Sequence, residues 1–388
     1  SLITGRVALA ILLMLFISTS ARALVHPGGW LTADELSTIR ENVAAQEEPW
    51  HGAWLALKDS GAGTDYKTKV EKTSRGVSDF QRDAHAAYTL TMKWVASGEQ
   101  DYATAAIRII DDWVRTVERF DHSQTSLRNG IAGNKMAQAA EILAHGFNGE
   151  AGWSALRIVK AQAWFEKVVY PYTSTGKMRS TNWGTSALAG CMSMAIFCDD
   201  QAMFDHACDA YRYGFKNTTD GYCAVTDYIV NATGQAYESG RDQIHTQGGI
   251  AHLVETAMTA WNQGVDLVSF ADYRLVAGLE YTAKYNVGHD DLPWTSDIPN
   301  PGNLDVYWPN GISEDGRGKW SPIYIQAATL FERAGQAHPY IKEVIASPTY
   351  QKPETHNSDH PGLGHLCFVM NAKTRPVESE QADTVEMK

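Results

Sequence analysis

Helical punctuation recurs along this chain, while the strict apolar–polar alternation of half-buried strands is scarce. Thr32-Ala-Asp-Glu35 reads as a capping box, in which a Thr side chain and a Glu three residues later satisfy each other's backbone N–H groups; it predicts a helix through about Gln46. Asp79 opens a second helix carrying Ala84, Ala87, Tyr88, Leu90, Met92 and Trp94, which Gly98 closes. A third, over 101–118, sets Ala105, Ile109, Trp113 and Val117 on one face, and a fourth, over 133–145, turns Met136, Ala139, Ala140 and Leu143 inward. Helical patterning continues over 153–169, 185–197, 202–215, 244–262, 267–285, 324–334 and 340–345. Gly and Pro gather instead at 61–64, 171–182, 290–318 and 351–364, which read as loops. Adjacent helices of similar length without the periodic consensus of a repeat array predict an all-α fold, an (α/α)n toroid or incomplete helical barrel around a central cleft. Loops at one end of such a toroid converge on the cleft, so chemistry is expected there.

Residues 1–23 stand apart. Arg6 precedes the apolar run from Val7 to Ile17, and Ala21-Arg22-Ala23 fits a small-x-small cleavage site. That is the pattern of a secretory signal peptide, and it predicts a secreted protein, periplasmic in a bacterium, with no membrane attachment after cleavage. Residues 24–388 are then one toroidal domain ending in a C-terminal loop and tail. In an oxidising compartment some of Cys191, Cys198, Cys208, Cys223 and Cys367 are expected to pair, Cys208 with Cys223 being one option against simple buried thiols. Asn217-Thr-Thr and Asn231-Ala-Thr are glycosylation sequons. The net charge of −12 excludes a nucleic-acid partner, because phosphate attraction requires a basic surface. It leaves room for a cleft that is locally basic.

Four segments concentrate reactive side chains. Arg179-Ser-Thr-Asn182-Trp183-Gly184 sits at a loop-to-helix junction, where Asn182 can neutralise a carboxylate; Thr181 or Asn182 can equally be a plain helix cap. Glu238-Ser-Gly-Arg241-Asp-Gln243-Ile-His245 packs ionisable and amide groups before an apolar helix, with Arg241 and His245 four residues apart on one face. Arg317-Gly-Lys319-Trp320-Ser-Pro-Ile-Tyr324 leads into a helix whose positive end would favour a phenolate at Tyr324, or else Tyr324 is a core residue with a satisfied hydroxyl. His356, His360 and His365 form a polar group of lower interest. No Gly-x-Ser-x-Gly elbow, phosphate loop, dinucleotide fingerprint or zinc-ligand spacing occurs, so neither a metal nor a cofactor is expected. Glu238 with Glu314 or Asp315 is a conceivable carboxylate pair for glycoside hydrolysis.

Asp83-Ala-His-Ala-Ala-Tyr88 through Trp94, Gly98-Glu-Gln-Asp-Tyr-Ala103, Ile110-Asp-Asp-Trp113 and Gln138-Ala-Ala-Glu-Ile-Leu143 resemble the N-terminal half of the alginate lyase domain. Arg317, seven positions before Tyr324, resembles the Arg and Tyr pair of polysaccharide lyase family 5, whereas Asn182-Trp183 and the later His245 resemble polysaccharide lyase family 38 more closely. The Asn-Asn-His-x-Tyr-Trp run of family 5 is absent. The resemblance implies a metal-independent, monomeric toroid that cleaves an anionic β-1,4-linked polyuronate, mannuronan or glucuronan, by β-elimination. It implies Tyr324 as base and acid, with Asn182, His245 and Arg317 masking the uronate carboxylate. Trp183, Arg179, Arg241, Gln243, Lys319, Trp320 and Glu238 would then bind substrate around them. His245 as a separate base would suit guluronate, whose C5 proton and C4 oxygen lie on opposite sides. Two alternatives remain: a toroidal glycoside hydrolase using an Asp/Glu pair, and a secreted glycan-binding protein without catalysis.

Overall fold

The computed structural model describes residues 23–174, 181–215, 221–298, 308–355 and 357–369. Its helices are α1 (Ala33–Ala44), α2 (Trp50–Lys58), α3 (Asp79–Ser97), α4 (Gln100–Thr116), α5 (Thr125–His145), α6 (Ala155–Trp164), α7 (Tyr170–Ser174), α8 (Asn182–Phe197), α9 (Gln201–Tyr213), α10 (Val225–Tyr228), α11 (Gln243–Asn262), α12 (Phe270–Asn286), α13 (Tyr324–Arg333), α14 (Pro339–Ala346) and α15 (Gly364–Cys367). Two short parallel strands, β1 (Thr73–Ser74) and β2 (Arg119–Phe120), tie the loop after α2 to the end of α4.

The local signals act as expected where a cap or a periodic face exists. Thr32 and Glu35 form the reciprocal capping box of α1. Gly98 closes α3 in the left-handed conformation at φ 73°, which only glycine adopts without strain. The helix expected over 133–145 begins eight residues earlier, at Thr125. Its first turns carry Gly130 because a Cβ there would lie 2.7 Å from the backbone of Ser186, and one on Gly190 would lie 2.8 Å from Gly130's carbonyl oxygen. The glycines let α5 and α8 touch backbone to backbone.

Side-chain contacts fix the direction of the inner helices. Arg128 bonds Gln81, Lys135 approaches His85, and Gly146 packs on Trp94, so α3 and α5 run parallel. Gly130 meets Ser186 and Asn134 meets Ser193, which makes α8 parallel to α5. Asn134 bonds Glu255 and Gln138 approaches Thr259, adding α11 in the same sense. Tyr324 bonds Gln247 and Arg333 reaches Asn262, adding α13. The connecting helices α4, α6, α9 and α12 pack outside them. The fold is therefore an (α/α)n toroid whose inner helices all start at one end.

That arrangement concentrates partial positive charge at the starting end, where each helix presents unsatisfied N–H groups, and negative charge at the other. One hydrophobic cluster runs from Trp30 to Phe368 between the two layers. The axis side is polar: Asn134, Gln138, Ser193, Glu255 and Thr259 are all buried and hydrogen-bonded across the inner helices, and buried Glu141 bonds His26 and the Gly28 backbone of the N-terminal segment. All five cysteines are free thiols, which corrects the expected pairing, Cys208–Cys223 included. Burial pushes the thiols of Cys191, Cys198 and Cys208 up to about 12, so they behave as small apolar groups. Among the described residues no helix is long and apolar enough to cross a membrane.

Candidate active site

The start of α11 and the start of α8 meet through one buried carboxylate. Asp242 is the N-cap of α11: its Oδ1 accepts the backbone N–H of His245 at 2.7 Å, and its Oδ2 contacts His245 Nδ1 at 2.7 Å. Burial pulls the Asp242 carboxyl upward, but hydrogen bonds from His245 and the charge of Arg241 outweigh it and hold the group below its ordinary value. An ionised Asp242 requires a proton on Nδ1, which leaves the lone pair on Nε2. That lone pair faces the Arg241 guanidinium at 3.0 Å. The His245 side chain is 39% exposed, so the imidazole is open to a ligand.

Arg241 is anchored from behind. Its Nη1 donates to Glu238 Oε1 at 2.7 Å, and its guanidinium lies 5.9 Å from the centre of the Trp308 ring. Glu238 is fully buried, and its other oxygen accepts from the Asn182 backbone N–H at 2.8 Å and the Tyr228 hydroxyl at 3.1 Å. One carboxylate thus caps α8, fixes Arg241 and holds Tyr228. Asn182 is the first residue of α8, and its buried Oδ1 has no hydrogen-bond partner among the described residues. Trp183 is half-buried beside it.

The structure brings together Asn182, Trp183, Glu238, Arg241 and His245, and adds Asp242, Tyr228 and Trp308, which sequence reasoning did not select. Asp242 carried a readable signal: an Asp three residues before a His at a helix start can cap the helix and hold the ring at once. Arg179 and His356 lie outside the described residues.

The Arg317/Tyr324 pair is corrected. Tyr324 is fully buried, and its hydroxyl donates to Gln247 Oε1 at 3.0 Å. Burial pushes its pKa up, opposite to the lowering a base would need. Arg317 does not face it: the guanidinium stacks 4.0 Å over the Tyr285 ring, donates to the carbonyls of Tyr285 and His289, and pairs with Asp290 at 2.8 Å. It ties down the C-terminal end of α12, where a cation is favoured.

Two expected substrate contacts are also scaffold. Glu238 is the buried anchor just described. Gln243 is buried among Asn286, Ser313 and Ser239. Lys319 is exposed and offers its carbonyl to Gln247, while Trp320 borders an open depression with Ser321, Pro322, Tyr350 and Asn357. Among the described residues around His245, which do not include Arg179, Glu238 and Asp242 offset the charge of Arg241. Positive potential at this end comes from the helix starts.

Among the described residues two groups have the geometry for a metal ion, and both lie deeper along the toroid: His252, Glu255 and His360, and His26, Glu141 and His145. In the first, Glu255 accepts from Asn134 and bonds His360, so both oxygens are engaged.

The solved structure of a variant of alginate lyase A1-III in complex with a tetrasaccharide superposes with a TM-score of 0.63, at 14% identity, over 91% of this chain and 98% of that one. An alginate lyase from Bacteroides ovatus gives 0.59 at 13% identity, over 89% and 100%. Alginate lyase A1-III from Sphingomonas species A1 gives 0.61 at 12%, over 90% and 98%. At these identities the superpositions establish the fold. No curated protein sequence matches the chain. The family model described as alginate lyase matches residues 43–294, well over half of the sequence, and with the toroidal fold it supports polysaccharide lyase activity: the chain belongs to the alginate lyase family.

Proposed function

We propose that this protein is a secreted lyase that cleaves a β-1,4-linked polyuronate by β-elimination, with His245 as the base. The observation that carries the reading is the chain Asp242–His245–Arg241 at the mouth of the inner helices, beside the side-chain oxygen of Asn182, which has no hydrogen-bond partner among the described residues. β-Elimination needs two things. The uronate carboxylate must be masked so that the C5 proton becomes acidic, and a base must then remove that proton. Arg241 supplies a fixed cation for the carboxylate, and the N-terminus of α8 adds partial positive charge. When a carboxylate engages Arg241, the guanidinium contact to Nε2 is relieved and the lone pair is free to accept the C5 proton. Electrons from the C5–H bond form the C4–C5 double bond, the C4–O bond breaks, and the departing oxygen takes a proton. Asp242 stabilises the imidazolium formed in between.

With Tyr324 buried, His245 is proposed to perform both proton transfers rather than to act as a separate base; in mannuronate and glucuronate the C5 proton and C4 oxygen share a side, so it can return the same proton to the leaving oxygen. The reading therefore favours mannuronan or glucuronan over polyguluronate. Trp183 and Trp308 are proposed to stack on sugar faces at this mouth. Secretion rests on the signal-like segment 1–23. The test follows ultraviolet absorbance of the new double bond on polymannuronate, polyguluronate and glucuronan, using wild type and His245→Ala. Rising absorbance with wild type on one of the first or third polymers, lost by at least about a hundredfold in the variant, supports the proposal. Undiminished absorbance with His245→Ala removes His245 from the mechanism.

A further inference from the structure

The far end of the toroid carries a second cluster that the elimination chemistry does not use. Glu141 and His145 lie one turn apart at the end of α5 and face the same way. His26 reaches them from the N-terminal segment, its ring centre 4.5 Å from that of His145. His26 Nδ1 lies 2.8 Å from Glu141 Oε1. On the other side of the carboxylate, Glu141 Oε2 and His145 Nε2 face each other at 3.7 Å, and neither makes a hydrogen bond among the described residues. Glu141 is 1% exposed. A buried carboxylate oxygen that faces an imidazole nitrogen at ion-pair distance, with no hydrogen bond to either atom among the described residues, leaves both under-satisfied.

We infer that His26, Glu141 and His145 form a structural binding site for a divalent transition-metal ion of the zinc class. Two imidazoles and one carboxylate suit Zn²⁺ rather than Mg²⁺ or Ca²⁺, which take oxygen ligands. The candidate donor atoms lie within 4.8 Å of one another. Two ligands each about 2.1 Å from a tetrahedral ion stand roughly 3.4 Å apart, so the 3.7 Å gap between Glu141 and His145 needs little closure.

Two further features fit an ion. Without an ion both ring nitrogens of His26 face carboxylates, Nδ1 to Glu141 and Nε2 to Asp199 Oδ1 at 3.2 Å, so an entering ion displaces the Nδ1 proton while Asp199 keeps the ring oriented. Asp199 follows the end of α8, and α5 ends at His145, so two helix C-termini direct partial negative charge at the cluster. The His145 side chain is 32% exposed, which gives the ion an entry path and leaves a fourth position for water. Bound there, an ion would staple the segment around His26 to the base of α5. It would lie at the opposite end of α5 from the His245 mouth, so its loss should lower stability rather than turnover.

The test uses the full chain stripped with chelator and titrated with zinc chloride, following bound metal and melting temperature, and with cobalt(II), following visible absorbance. The expected result is one equivalent bound, a rise in Tm of at least about 3 °C at saturation, and a four-coordinate cobalt spectrum. His145→Ala and Glu141→Gln should each abolish all three, while His252→Asn, in the other cluster, should leave them intact. His145 is partly exposed, so its replacement does not threaten folding. Wild-type metal uptake by His145→Ala would overturn the inference, as would wild-type protein that binds no zinc at about 100 µM.

Discussion

Replacing Asp242 by Asn separates two functions that one carboxylate performs. Asn is as good an N-cap as Asp, and its side-chain oxygen can still accept the His245 backbone N–H, now at 2.7 Å, so α11 should lose no more than a few tenths of a kcal/mol. The partner of His245 Nδ1 changes completely. The Asn side chain presents an N–H₂ donor where Oδ2 stood, which requires Nδ1 to become the acceptor and moves the imidazole proton to Nε2. The ring then points an N–H at Arg241 and at substrate, and the base is disabled although every atom stays in place. General acid–base catalysis contributes roughly a hundredfold to ten-thousandfold, so turnover should fall at least about a hundredfold, equivalent to about 2.7 kcal/mol of barrier. Initial rates of double-bond formation under saturating polymer, with Tm measured alongside, check this. Turnover above about a tenth of wild type in a normally folded Asp242→Asn enzyme would refute the assignment of His245 as a base oriented by Asp242.

Three other outcomes follow from the described contacts. Tyr324→Phe removes only the buried hydroxyl bonded to Gln247, so it should cost about 1 kcal/mol in denaturant unfolding and leave turnover within about threefold of wild type. Gly190→Ala pushes a methyl into the backbone of Gly130 and should destabilise the α5–α8 contact by about 1–3 kcal/mol, read as a lowered Tm. Burial lifts the Glu354 carboxyl to about 7, against hydrogen bonds from Tyr350 and the Gly364 backbone. The unfolded chain, with an ordinary carboxyl near 4.5, therefore releases its proton first, and stability should fall as pH rises from about 4.5 through 7, by up to about 3 kcal/mol. Glu354→Gln should flatten that part of the profile in pH-dependent unfolding.

The toroid was legible where its signals are local. Thr32 with Glu35, Gly98, and the i+4 faces of α3 and α4 each act within a turn or two of chain. Among the inner helices α5 was the hard one to bound, because its axis-facing side chains are polar. Asn129, Asn134, Lys135, Gln138 and Glu141 look like a solvated face in sequence, yet all five are buried against neighbouring helices. Gly130 looks like a helix breaker and is a contact surface. At the site, Arg241 and His245 could be paired from their spacing because they flank Asp242, the N-cap of α11. Arg317 and Tyr324 could not. Gly318 at φ 73° and the turn before α13 separate them, so a spacing of seven says nothing about which way either side chain points. Glu238 and Gln243 were read as ligand contacts for being polar near a cleft, and burial makes them scaffold. The proposed metal cluster joins His26 to Glu141 and His145, a separation along the chain that no local spacing rule could reveal.

The central claim is that bond cleavage here is an elimination and not a hydrolysis. Digesting the preferred polyuronate in heavy-oxygen water and analysing the oligosaccharides by mass spectrometry tests it most directly. A β-elimination adds no water, so each new non-reducing end should carry a C4–C5 double bond and no heavy oxygen should enter the products. Saturated ends, with one heavy oxygen gained for every bond cut, would contradict the account and make this toroid a glycoside hydrolase.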